Sequence, residues 1–185
     1  MERTVNQTNI LKLTYTGLLI AIGIMIPMFS PLRILIPPAS FTLASHAAIF
    51  VAMFISPGVT ITVALGTTLG FWLGAFPDVI VLRALSHVIF AGLGAFYLSK
   101  RDKDAIGIVH MRVLSAVLNV IHGAAELAVV LAFNHFVLGL PFEPALVWPV
   151  VGLVGLGTVI HGFVDLELAM AVRKVLNNAG LLRGI

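Results

Sequence analysis

Arg83 and His87 stand four residues apart inside one long apolar run, Val79 to Phe90. On a helix that spacing places both on one face. A guanidinium among Val, Ile and Leu needs an anionic partner or a watery cavity, and its planar fork of N–H donors matches a carboxylate. A second apolar run carries Asn119, His122 and Glu126 at offsets of three and four, again on one face. A third carries His161 and Asp165, and His46 lies shortly after the Pro37-Pro38 pair. The chemistry open to this set is recognition of a small anion. Arg83 would hold a carboxylate, while His46, His87, Asn119, His122 and Glu126 would serve its other polar groups. Plainer roles stand beside that one. Arg83 can snorkel to lipid headgroups, and Glu126 can pair with Arg83 or His87 or sit protonated against a neighbouring helix. His161 and Asp165 fall deeper along their run, where a polar clasp between helices is the expected role.

Catalysis fits poorly. His122-Gly-Ala-Ala-Glu126 has one histidine and a misplaced glutamate, so it is not the His-Glu-x-x-His of metalloproteases. There is no nucleophilic serine motif and no phosphate-binding loop, so the chain is expected neither to be an enzyme nor to hydrolyse ATP alone. With no cysteine, disulfides and thiolate ligands are excluded. The 6 histidines are scattered over different runs, and their spacing makes no case for a metal. No catalytic residue, metal or cofactor is therefore expected within this chain.

The elements that must position these side chains follow from composition. Of 185 residues, 59% are hydrophobic and 10% charged, against roughly 25% charged in a soluble domain. Mean hydropathy is +1.09. The pattern predicts an all-α polytopic membrane protein forming one domain over residues 1–185, rather than a soluble globule or a β-barrel. Six transmembrane helices are read at about Leu11–Phe29, Phe41–Ile55, Val59–Phe76, Val79–Leu98, Ile106–Phe136 and Trp148–Val172, the second being short. On this reading Arg83 lies about 6 Å below the outer end of its span. Lys and Arg cluster at Arg3 and Lys12, at Lys100, Arg101 and Lys103, and at Arg173, Lys174 and Arg183. Six spans put all three groups on one side, which makes both termini cytoplasmic. The formal charge of +3 thus reflects topology, and no nucleic acid is expected as a partner. No cleavable signal peptide is expected either, since Leu11–Phe29 is long enough to span. Gly66-x-x-x-Gly70-x-x-x-Gly74 and Gly17-x-x-x-Ala21 are small-residue stripes of the kind that let helices approach in lipid. Internal packing is the expectation for the first, and contact with another subunit for the second.

Several stretches are distinctive as a set: Ile22-Gly-Ile-Met-Ile-Pro-Met-Phe-Ser-Pro31, Pro37-Pro-Ala-Ser-Phe-Thr-Leu-Ala-Ser-His46, Leu65-Gly-Thr-Thr-Leu-Gly-Phe-Trp-Leu-Gly74 and Val79 to Leu98. Over about residues 11–172 the chain resembles the substrate-binding (S) subunits of energy-coupling factor vitamin transporters. It looks closest to pantothenate-type members, with niacin-type members next. The resemblance implies a six-helix subunit of a prokaryotic cytoplasmic membrane that binds one vitamin near the outer face, beneath the loop Ser30 to Ser40. It implies as partners a membrane coupling protein and two cytoplasmic ATPases, which would hold the ATP and Mg. The family's Ala-x-x-x-Ala contact to the coupling protein corresponds to Gly17 and Ala21, with glycine in place of the first alanine.

The leading expectation is thus a pantothenate-binding subunit. Niacin is the alternative, a flat anion suited to aromatic walls from Phe41, Phe71, Trp72 and Trp148, with Phe142 a further candidate wall from the outer loops. A different class, a stand-alone proton-coupled carrier of small anions, would use Glu126 or Asp165 as its proton site.

Overall fold

The computed structural model describes residues 5–36, 39–103 and 105–182. Arg3, Arg183 and the Pro37-Pro38 pair lie outside the described residues. Helix α1 (Val5–Phe29) leads into an antiparallel hairpin of β1 (Arg33–Ile36) and β2 (Ala39–Thr42). Helices α2 (Ala47–Met53), α3 (Pro57–Leu73), α4 (Asp78–Ser99) and α5 (Ile108–Phe136) follow. The last path runs from α6 (Pro144–Val150) through a π-helical turn, Val151–Leu156, into α7 (Gly157–Asn178). Pro149, which has no N–H to donate, stands just before that turn.

Four helical stretches are long and apolar enough to cross a bilayer: α1, α4, α5 and the continuous path Pro144–Asn178, with α3 a shorter apolar helix. The expected second span is where the reading departs from the structure. Phe41 belongs to β2, paired with Ile34, so the expected second span opens as a short hairpin in a protein whose other described elements are helical. Helix α2 has 7 residues, about 10 Å at 1.5 Å per residue, too short to span. Ala48 to Met53 are all buried, because α1, α3, α4 and α7 pack around them. An apolar run is the same whether lipid or protein surrounds it, which is why this stretch read as a span.

The glycine ladder packs internally. A Cβ on Gly66 would stand 2.6 Å from Ile20 Cδ1, and one on Gly70 would overlap Ile24. Two turns of α3 thus accept two isoleucines of α1, bringing the backbones close as small residues allow in lipid. Gly74 ends α3, its N–H donating to Gly70 O. The opposite small stripe does not pack: nothing lies within 4 Å of a Cβ built on Gly17, and Ala21 is exposed.

Helix α4 shows how one sequence serves two surroundings. Leu82, Leu85, Ile89, Leu93 and Phe96 are exposed at spacings of three and four, a continuous apolar stripe. Arg83, His87, Phe90 and Gly94 on the other face are buried. At one end of the bundle Tyr15 Oη donates to Leu181 O at 2.8 Å, Arg173 Nη2 to Lys103 O at 3.2 Å and Lys103 Nζ to Phe54 O at 2.8 Å. The first half of α1 and the end of α7 therefore share an end with the α4–α5 loop. The hairpin closes the other.

Candidate ligand-binding site

Beneath the hairpin, polar side chains from α4, α5, α7 and the turn before α2 converge on two carboxylates. Glu126 is the first. Arg83 Nη2 donates to its Oε2 at 2.8 Å, Thr158 Oγ1 to the same oxygen at 2.5 Å, and His87 Nε2 to Oε1 at 3.0 Å. Arg83, Glu126 and Thr158 are each at most 5% exposed. The i, i+4 pairing of Arg83 with His87 is what lets one face of α4 grip both oxygens of one carboxylate. A charge pair this deep persists only with its remaining lone pairs satisfied, as here by the hydroxyl and imidazole.

Asp165 is the second. Its Oδ1 accepts the Ala44 N–H at 2.7 Å, and its Oδ2 accepts the His46 N–H and His46 Nδ1, both at 2.9 Å. His161 Nε2 lies 3.2 Å from Oδ2 and 3.1 Å from Ser45 Oγ. Ala44 has φ 66°, a left-handed conformation that costs a residue with a Cβ roughly 1–2 kcal/mol. The carboxylate holds that turn in place and so fixes His46 over the site.

Four imidazoles meet between the carboxylates. Ring centroids are 4.6 Å apart for His46 and His87, 4.7 Å for His46 and His122, 4.9 Å for His87 and His122, and 5.1 Å for His46 and His161. His122 also stacks on Phe90 at 4.2 Å. Its Nε2 is 3.6 Å from Glu126 Oε1, too long for a hydrogen bond. Neither of its ring nitrogens has a hydrogen-bond partner among the described residues.

A cavity of about 50 Å³ opens between this layer and the hairpin. At roughly 10–15 Å³ per water it takes a few water molecules, so a larger molecule enters only if side chains move. Arg83, His87 and Glu126 form its polar floor with Thr158 and His161, and Phe41, Phe71 and Phe76 its aromatic walls. Phe41 reaches this position because Gly157 has no side chain: a Cβ there would stand 2.5 Å from its Cζ. Thr67 Oγ1, buried and without a hydrogen-bond partner among the described residues, also borders the space.

Of the residues expected to serve a ligand, Arg83, His87, Glu126 and His46 border the cavity. His122 sits directly behind them. Asn119 does not border it: it is wholly buried, donates to Ser115 Oγ at 3.2 Å and packs against Gly162. The expected pairing of Glu126 with Arg83 and His87 is present. The clasp expected of Asp165 is present too, but His161 is not deeper than the rest. It lies level with His46, because α6 stands largely exposed at the hairpin end and depth counted from Trp148 overshoots. Phe41 and Phe71 form walls as expected, whereas Trp72, Trp148 and Phe142 are exposed. Thr67, Thr158 and Phe76 were not foreseen. For Thr158 a signal existed: with His161 and Asp165 it repeats at three and four on one face of α7.

A bundle of apolar helices enclosing a buried guanidinium, two buried carboxylates and a small cavity with aromatic walls defines a multi-pass membrane protein. Over 169 residues the chain is 38% identical to the niacin transporter NiaX of Lactococcus lactis subsp. cremoris, an alignment covering 91% of this chain and 75% of that protein. The chain belongs to the same family of membrane vitamin transporters. No profile of a known protein family matches it, and no solved structure does. The likeness to pantothenate-type members is not upheld, since this relative is a niacin transporter; the niacin-type alternative is the better supported.

Proposed function

We propose that this chain is the niacin-binding subunit of an energy-coupling factor importer in a prokaryotic cytoplasmic membrane. The observation that carries the reading is the juxtaposition of Arg83 with Phe41, Phe71 and Phe76 around one cavity. Niacin is a pyridine ring bearing a carboxylate. A guanidinium fork pairs with the carboxylate, and the three rings offer faces and edges to the flat heterocycle. The incoming carboxylate competes with Glu126 for Arg83. Thr158 keeps its hydrogen bond on Glu126 during that exchange, and Thr67 Oγ1 borders the cavity within reach of a ligand. The chain passes the membrane six times in this reading, the second passage made by the hairpin and α2, with both termini cytoplasmic. The family kinship to NiaX supports niacin over pantothenate.

Equilibrium binding of nicotinate and pantothenate to the purified protein in detergent tests the substrate. Tight nicotinate binding with pantothenate at least a hundredfold weaker is expected; the reverse order would restore pantothenate and reject the aromatic-wall argument. In this reading a membrane coupling protein and two cytoplasmic ATPases, which hold ATP and Mg, drive uptake. The open face of α1 at Gly17 and Ala21 is where the coupling protein would dock. Gly17→Leu should therefore leave nicotinate affinity within about twofold while ATP-dependent uptake falls at least tenfold in vesicles containing all subunits. Uptake by this chain alone, driven by a proton gradient, would instead favour a stand-alone carrier.

A further inference from the structure

Three histidines and a glutamate come together here from two helices, α4 and α5, and the turn before α2. His46, His87, His122 and Glu126 each present one donor atom, all within 4.8 Å of one another, and all four residues are buried. We infer that they form a binding site for a divalent first-row transition-metal ion of the zinc class. The donor set is three imidazole nitrogens and one carboxylate oxygen, which suits Zn, Ni, Co or Cu rather than Mg or Ca.

Three observations carry this. First, His122 is 0% exposed and lacks a hydrogen bond at either ring nitrogen among the described residues. A buried polar group without a partner costs about 1–3 kcal/mol, and an ion bound at His122 Nε2 would satisfy one of the two nitrogens. Second, Asp165 accepts from His46 Nδ1, which leaves Nε2 for the ion. A carboxylate holding the far nitrogen of a histidine is the recurring support of metal-bound imidazole. Glu126 is held likewise: Oε2 is occupied by Arg83 and Thr158, while Oε1 faces His87 Nε2 at 3.0 Å and His122 Nε2 at 3.6 Å. Third, the buried fixed charges among the described residues are Arg83 against Glu126 and Asp165. That excess of one negative charge favours a cation beside the imidazoles, a divalent ion taking the net from −1 to +1. Donor atoms around a tetrahedral zinc lie about 3.3 Å apart, given bonds near 2.0 Å. The site closes by small rotations of side chains already in contact.

His161 with His46 and Asp165 makes a second close group, but both Asp165 oxygens already accept hydrogen bonds and it shares His46, so it acts as support. The site adjoins the cavity without depending on which vitamin enters it.

The test uses tag-free protein in detergent, stripped with a chelator and equilibrated with zinc in the absence of any vitamin. One zinc per chain is expected. Cobalt in its place should give the intense visible absorption of a four-coordinate site. His87→Ala and His122→Ala should each weaken zinc binding at least a hundredfold, while His110→Ala and His135→Ala, outside the cluster, should not change it. X-ray absorption of the zinc-loaded unmodified protein reads the ligands without any variant and should show three imidazoles. Folded protein that holds less than a tenth of an equivalent, affinity unchanged in both cluster variants, or fewer than two imidazoles around the zinc would each overturn the site. Nicotinate binding measured separately keeps the two readings apart: zinc bound without nicotinate affinity leaves the metal site standing and rejects the niacin reading, and nicotinate bound without zinc does the reverse.

Discussion

Replacing Arg83 by Ala is expected to abolish the protein's preference for nicotinate over nicotinamide. The two differ in the group that meets Arg83, a carboxylate in one and a neutral amide in the other. Truncating one partner of a buried, hydrogen-bonded charge pair costs about 3–5 kcal/mol, and each 1.4 kcal/mol is tenfold in affinity. Nicotinate affinity should therefore fall by about two to three orders of magnitude, and nicotinamide affinity by much less. The substitution also removes the 2.8 Å partner of Glu126, so part of any loss could reflect a disturbed fold. The pair Arg83→Gln with Glu126→Gln removes both charges together and leaves hydrogen-bonding amides in their place. It should keep a near-normal thermal unfolding temperature in detergent and lose nicotinate binding all the same. A folded variant of either kind that binds nicotinate normally would remove Arg83 from the site.

The largest effect on stability is expected at Asp165, which no lipid or ligand reaches. Asp165→Ala strips acceptors from two backbone N–H groups, at Ala44 and His46, and from two imidazoles. The backbone donors have nowhere else to turn, and leaving buried groups unpaired costs about 1–3 kcal/mol each. A total loss of about 3–5 kcal/mol follows. It should appear as a lower unfolding temperature and a poor yield of monodisperse protein. Asp165→Asn keeps one carbonyl acceptor and should cost less. The turn at Ala44 adds a specific check: Ala44→Gly, which relieves the left-handed backbone, should recover part of the stability of Asp165→Asn. If Asp165→Ala unfolds like the unmodified protein, the carboxylate does not hold the hairpin to α7.

The polar faces were readable from spacing alone. Arg83 with His87, His122 with Glu126, and His161 with Asp165 each share a helix face because three- and four-residue offsets return to one side whatever the partner. The anionic partner demanded by Arg83 in an apolar run is Glu126, as its burial requires. The ladder Gly66–Gly70 reads as close packing, and it is α1 that fills it. Other features were hidden for physical reasons. The run Phe41–Ile55 has the hydropathy of a span, but hydropathy does not distinguish a lipid neighbour from a protein one. Asn119 shares a face with Glu126 yet sits about 10 Å along the axis, given 1.5 Å per residue, below the cavity against Gly162. No local pattern marks which histidine meets which, since every contact within the cluster except those of one helix turn joins residues distant in sequence.

What the sequence determined by itself was the solvent and the faces. Its hydropathy demands a bilayer, its charge clusters bias which ends share a side, and its helical spacing groups the ionisable residues into pairs. Those properties are local, depending on composition and on the period of one helix. Tertiary structure alone decided that the faces of α4, α5 and α7 and the turn at His46 meet at one level, with Asp165 and Glu126 as their anchors. Relative height and rotation are set by how helices pack, by the exposed α6 and by the π-helical turn ahead of α7. They are long-range quantities, and this is why six histidines that look scattered along the chain supply four imidazoles to a single layer.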